Sequence, residues 1–219
     1  MLEKANGKGA FVMQTRDHLA LGCFLLDFAG SDELLNHRRA FLAGCVEPDY
    51  NAATYLRGMK TGQKLRGHHA ENSFAHVSNC MEAFQARGLC TSWDYFTLGT
   101  TLHYAADAFT WPHNTFWEKS LADHVAYERR LHPVFSDELR RRAAEEAPAG
   151  PRALTAFFAA RHQAYSAAPR EMETDCRYIV GVCEGLLLGS LRCAASARKS
   201  ECDWKEALPY AGSYHHGLV

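Results

Sequence analysis

Between Leu102 and Glu128 the chain reads LHYAADAFTWPHNTFWEKSLADHVAYE, and His103, Asp107, His113, His124 and Glu128 within it are all potential metal ligands. His103 and Asp107 are four residues apart, as are His124 and Glu128, so each pair shares one face of a helix. Pro112 stops the first of these helices and His113 follows it directly. Imidazole and carboxylate donors at this density suit a divalent cation such as zinc, and a polynuclear site needs more than one such pair. Taken singly, each histidine reads as a polar residue on the wet face of an amphipathic helix. Taken together, they would have to be paired off one by one if they were buried without a metal. The stretch therefore reads as a zinc site.

The rest of the composition is that of an ordinary globular chain. The 219 residues are 47% hydrophobic and 22% charged, enough for one sizeable core, and the expectation is one domain over residues 1–219. A net charge of −1 argues against a broad basic surface for nucleic acid, while twelve histidines are many for this length. Cysteines at 23, 45, 80, 90, 176, 183, 193 and 202 form no CxxC pair, and most fall in apolar helical stretches, so they are expected to be buried thiols. No secretory leader pattern opens the chain, which gives a cytoplasmic expectation. The apolar run from Gly185 to Leu191, bounded by Glu184 and Arg192, is too short to span a bilayer, so no transmembrane segment is expected.

The elements that must position the ligands are helical. Leu21, Phe24, Leu25 and Phe28 recur at helical spacing over Asp17–Ala29, with His18 in the first turn. Ser31 caps a second helix running to about Ala43, with Gly44 as its C-cap. Pro48 and Asp49 then read as a rigid turn that puts a carboxylate just beyond a helix end. Residues 57–67 are basic and glycine-bearing, a surface loop that ends at the doublet His68-His69. A helix over Ala70–Arg87 follows, with Gly88 ending it, and if it reaches back one turn its apolar face lies nearer His69 than His68. The next helix, about Ser92–Thr110, carries the ligand pair, and Phe109, Trp111, Phe116 and Trp117 surround the turn after it. Ser136 reads as the cap of a separate charged helix, SDELRRRAAEEA, whose arginines form a solvated face. Helices over 152–166 and Arg170–Arg198 follow, the latter with Cys176, Ile179, Cys183, Leu186, Ser190 and Ala194 facing the core and Gly181, Gly185 and Gly189 packing against a neighbour. Residues 1–12 read as frayed and His215-His216 as surface residues. No strand pattern of useful length occurs, so the fold class is an all-α multi-helix bundle.

His18, GCVEPD ending in Asp49, RGHHAEN, HYAADAFTWPH and HVAYE together resemble the zinc-dependent phospholipase C family, an all-helical group related to single-strand-specific zinc nucleases. The combination H-Y-x-x-D-x-x-x-x-P-H followed by H-x-x-x-E is the specific part. The resemblance implies that Asp49, one histidine of His68 and His69, His103 and Asp107 hold one zinc, and that His113, His124 and Glu128 hold a second. A third metal in secreted relatives uses the leading histidine, the bridging aspartate and the amine of a processed N-terminal tryptophan. Here His18 and Asp107 are present but the chain opens Met-Leu-Glu-Lys, which leaves two against three metals open. The activity implied is metal-assisted hydrolysis of a phospholipid, or another small phosphodiester, to diacylglycerol and a phosphorylated head group. Asp49 is the general base, or the group that orients the nucleophile. The same cluster would serve a zinc nuclease or nucleotide phosphodiesterase, and a degenerate, non-catalytic zinc-binding domain is the reading from another class.

Overall fold

A computed structural model describes residues 15–51 and 68–206, with side chains to residue 196. Among these residues there are eight α-helices and no strand: α1 Thr15–Ala29, α2 Asp32–Asn36, α3 Arg38–Tyr50, α4 Ala70–Arg87, α5 Ser92–Ala108, α6 Leu121–Arg142, α7 Leu154–Ala167 and α8 Met172–Glu206, with a 3-10 turn at Trp111–His113 between α5 and α6. The all-α class read from the sequence is the observed one. The expectations for residues 1–12, for the 57–67 loop and for His215-His216 fall outside the described residues.

Helix α5 is the axis of the bundle. Its start is set by a capping box, in which the Thr91 hydroxyl accepts from the Asp94 backbone and the Asp94 carboxylate accepts from the Thr91 backbone. Arg87 holds that carboxylate at 2.6 Å from the end of α4. From Leu98 to Ala108 every residue of α5 is buried, polar ones included, as befits a helix enclosed on all sides. Helices α3, α4 and α8 pack directly against it, and α1 touches it at one end. Helix α8 covers the other flank, with the six predicted core residues from Cys176 to Ala194 all buried. Its Met172–Ser196 segment is long and apolar enough to cross a membrane by length and composition alone, and most of it is buried inside the bundle, as a core helix is. Gly185 and Gly189 let α8 meet Phe157, Leu154 and the Pro151 carbonyl, as the spacing predicted, while Gly181 has no such close neighbour.

Three local readings are corrected. The second predicted helix is two: α2 ends at His37, and α3 continues through Gly44 and Pro48 to Tyr50, closed by Asn51 N–H on the Glu47 carbonyl. A proline keeps a helical φ, and this close to a helix end it removes only one hydrogen bond. Asp49 therefore rides in the last turn of α3 and not in a turn beyond it. Gly44 is buried mid-helix because a Cβ there would run into the Phe96 carbonyl of α5, and Gly99 faces the Phe41 carbonyl in the same way. Helix α6 likewise runs unbroken past Ser136, whose hydroxyl donates to the His132 carbonyl at 3.0 Å; the true cap is Ser120, boxed with Asp123. Arg140, Arg141 and Arg142 pair with Asp137, Glu138 and Glu145 as expected, and Arg142 also turns inward to Glu184 at 2.9 Å. Among the described side chains the thiols are free as predicted, but only Cys45, Cys176 and Cys183 of these are buried. Cys23 is on the outward face of α1 beside Asp27 and Cys90 is in the α4–α5 loop, so both are exposed.

Candidate metal centre

Four chain segments converge on Asp107. His18 comes from the first turn of α1, Asp49 from the last turn of α3, His68 from just before α4, and His103 from one turn earlier on α5 itself. Asp107 Oδ2 lies 2.8 Å from His68 Nδ1 and 3.5 Å from His103 Nε2, and Oδ1 lies 3.3 Å from His18 Nε2. Asp49 Oδ1 is 3.6 Å from His103 Nε2. The His18 and His103 rings stack at 3.6 Å between centroids. His103 Nδ1 donates to the Cys45 carbonyl at 2.8 Å, which fixes the tautomer and leaves the Nε2 lone pair facing the cluster. The α3–α5 contact thus sets both the position of Asp49 and the orientation of His103.

The second group is more local. His113 closes the 3-10 turn, and His124 and Glu128 lie one turn apart near the start of α6. Both imidazoles address one carboxylate oxygen: His124 Nε2 is 2.6 Å and His113 Nε2 is 3.3 Å from Glu128 Oε1. His113 Nδ1 donates to the backbone carbonyl of His68 at 2.9 Å, so the two groups are joined through that residue. The turn itself is held by Asn114, whose amide donates to the Ala108 and Thr110 carbonyls left open at the end of α5. Three sets of donor atoms each lie within 4.8 Å of one another: His18, Asp49 and His103; His68, His103 and Asp107; and His113, His124 and Glu128.

Burial by itself would push Asp107 toward the protonated form, but the fields of His113 and His103 and the close approach of the His103 and His18 rings outweigh it and hold its carboxyl well below the usual range. Burial works against charge on His113 too, yet Asp107 and Glu128 raise it to about 9. Desolvation lowers His124, and Glu128 stays low, against its own burial, through bonds from both histidines. The trio's two imidazoles therefore both address one carboxylate oxygen of Glu128. The Asp107 group cannot satisfy itself in that way. His18 Nδ1 and Nε2, both Asp49 oxygens and Asp107 Oδ1 are buried without an aligned hydrogen-bond partner, although the His18 and Asp107 atoms face each other. Buried, unpaired nitrogen and oxygen donors turned toward one another are what a cation satisfies, and the mixture of imidazole and carboxylate suits zinc.

Of the doublet, His68 is the residue brought to Asp107, whereas His69 is the N-cap of α4 and lines a cleft with Pro112, Asn114, Trp117, Lys119 and His124. The helix-face argument favoured His69 because it assumed that α4 reached back a turn. Phe109 is fully buried core, and Trp111, Phe116 and Trp117 are half-buried around the turn. Sequence reasoning passed over Asn114, Asp17, whose carboxylate meets His132 of α6 next to His18, and Asp175, described below.

A family model described as zinc dependent phospholipase C matches residues 15–171. The chain belongs to the zinc-dependent phospholipase C family. The match takes in all nine candidate ligand residues from His18 to Glu128 and stops just before α8. No curated protein and no solved structure matches the chain.

Proposed function

We propose that the protein is a zinc-dependent phosphodiester hydrolase that cleaves a phospholipid, in the manner of a phospholipase C, to diacylglycerol and a phosphorylated head group. The observation that carries this reading is the convergence on Asp107 of buried donors from four separate segments, beside a second trio that opens on a cleft of about 310 Å³. In this reading Asp49, His68, His103 and Asp107 hold one zinc, His113, His124 and Glu128 hold a second, and His18 with Asp107 offers two ligands to a weaker third. Bound zinc supplies Lewis acidity, which neutralises phosphoryl oxygens and can bring the pKa of water from about 15.7 to about 7.

The protein's own part is to hold charge and orientation. Asp107, anionic and buried, balances cationic charge on several sides at once. The Cys45 and His68 carbonyls fix the tautomers of His103 and His113, so each presents an Nε2 lone pair. Asp49, with two carboxylate oxygens free of hydrogen bonds, is the base that takes a proton from the water as its oxygen bonds to phosphorus, and that proton passes to the diacylglycerol oxygen as its bond to phosphorus breaks. His69, Trp117 and Lys119 line the approach next to His124.

The test is a panel of phosphodiesters turned over by zinc-loaded protein: choline, ethanolamine and inositol phospholipids, nucleotide diesters and single-stranded DNA. Release of diacylglycerol from at least one phospholipid is expected. Turnover of nucleotides alone moves the protein to the nuclease branch. Less than one zinc per chain with no turnover at all makes it a non-catalytic domain.

A further inference from the structure

Asp175 is a carboxylate in the first turn of α8, almost fully buried, that no part of the mechanism above uses. Its Oδ2 accepts from the Trp111 backbone N–H at 2.8 Å and from the Tyr127 hydroxyl at 2.9 Å, and its Oδ1 accepts from the Tyr165 hydroxyl at 2.7 Å. Trp111 opens the 3-10 turn that ends in His113. Tyr127 directly precedes Glu128 on α6. One carboxylate therefore ties together the two segments that deliver the His113–His124–Glu128 trio, and its third bond goes to α7, which bears no ligand. It makes no hydrogen bond to α1, α3 or α5, which carry most of the other group. It also lies past residue 171, where the family match ends.

The arrangement is costly unless it does something. Three donors and the favourable end of the α8 dipole compensate the charge, yet burial still raises this carboxyl to about 6. Two half-buried tryptophans and Tyr127 pack edge to face around the same point, with ring centroids 5.3 to 5.9 Å apart. They close the space through which the turn could shift relative to α6. The N–H of Trp111 is the first of its turn and has no partner within it, and Asp175 supplies that partner while also accepting from Tyr127 of α6, which adds a hydrogen-bonded tie between the turn and α6 to the ring packing.

We infer that Asp175 is a positioning residue for the second metal, holding His113 and Glu128 at the separation at which both can bind one ion. This rests on the zinc reading above. Groups behind the ligands typically change metal affinity about 10- to 100-fold when removed. The two ions should therefore respond differently to loss of the tie.

The experiment is a competitive titration of zinc against a chromophoric chelator, with total zinc and circular dichroism on the same preparations. It compares the parent with Asp175→Asn, Tyr127→Phe and Tyr165→Phe. Asp175→Asn is expected to weaken one zinc about 10- to 100-fold and leave the other as in the parent. Tyr127→Phe should weaken the same ion less. Tyr165→Phe should lower the melting temperature with both affinities unchanged, because it releases α7 alone. In a His124→Ala background, which already lacks that ion, Asp175→Asn should cause no further zinc loss. If Asp175→Asn does not fold, Tyr127→Phe decides. Folded Asp175→Asn and Tyr127→Phe proteins that bind both ions like the parent, or lose both equally, overturn the inference and leave the zinc reading standing. A parent protein that binds no zinc overturns the zinc reading itself.

Discussion

The Asp107 group and the His113 trio are built by opposite means. The first draws its donors from positions 18, 49, 68, 103 and 107, on three helices and a connecting segment, and leaves buried atoms unpaired. The second draws its donors from one sixteen-residue stretch, His113 to Glu128, and they satisfy one another around Glu128 Oε1. The first is a product of tertiary packing and the second of local helix geometry plus a tie from α8. The first should therefore couple zinc to folding, and the second should couple zinc to protons.

The sharpest way to break this contrast is Asp107→Asn, which keeps the size of the side chain and removes the charge between His18, His68 and His103. At least one zinc should be lost and turnover should fall by several powers of ten, each about 1.4 kcal/mol of transition-state stabilisation. Zinc content and turnover measured on one folded preparation check it. Full zinc with near-parental turnover would remove Asp107 as the bridge.

Next in size is Gly99→Ala. The added methyl meets the Phe41 carbonyl and the Cys45 backbone nitrogen, so α3 and α5 must separate. Overpacking of this kind costs roughly 1–3 kcal/mol. It should appear as a lower melting temperature together with weaker binding of the Asp107-group zinc, the trio's ion being spared. Equal weakening of both ions would mean that the two groups are not mechanically separate.

A smaller effect separates the groups by pH. In chelated protein His113 titrates near 9, above its usual value of about 6.5 in an unfolded chain. The folded state thus holds that proton more tightly, and the stability it contributes is complete below about 6.5 and lost as the pH rises through about 9. The loss is at most about 3.5 kcal/mol, at about 1.4 kcal/mol per unit. Chelated parent should melt lower at high pH than at pH 6.5, and His113→Asn should flatten the difference. Zinc, which must displace the proton, should bind the trio more tightly over the same interval. The smallest change is the control: Arg141→Ala removes exposed pairs to Glu138 and Glu145 and should leave zinc content and melting behaviour as in the parent.

The same contrast explains what could be read in the sequence. The His103/Asp107 and His124/Glu128 pairs were legible because four-residue spacing on a helix is a local rule. The core stripe of α8 and the bounds of α4 were legible for the same reason. Gly44 and Pro48 were misread as stops, since one residue at a time they look like a cap and a breaker. Only the partner helix shows that Gly44 is there to admit the Phe96 carbonyl. His68 and His69 could not be told apart because the choice depends on where α4 begins, and the structure starts it one residue after the doublet. Asp175 gave no signal of its own: an aspartate near a helix start is ordinary. A tyrosine immediately before a ligand, with a hydroxyl in need of a buried acceptor, was the one available hint.

The backbone contact between α3 and α5 also limits which ion the cluster can favour. Asp49 and His103 stand on two helices that meet main chain to main chain at Gly44 and Gly99, so no change of side chain there can bring them closer. The bore of the cluster is set by main chain. A chemist who wanted it to prefer a smaller cation would have to lengthen or exchange the donors themselves, because the helices that carry them cannot approach further.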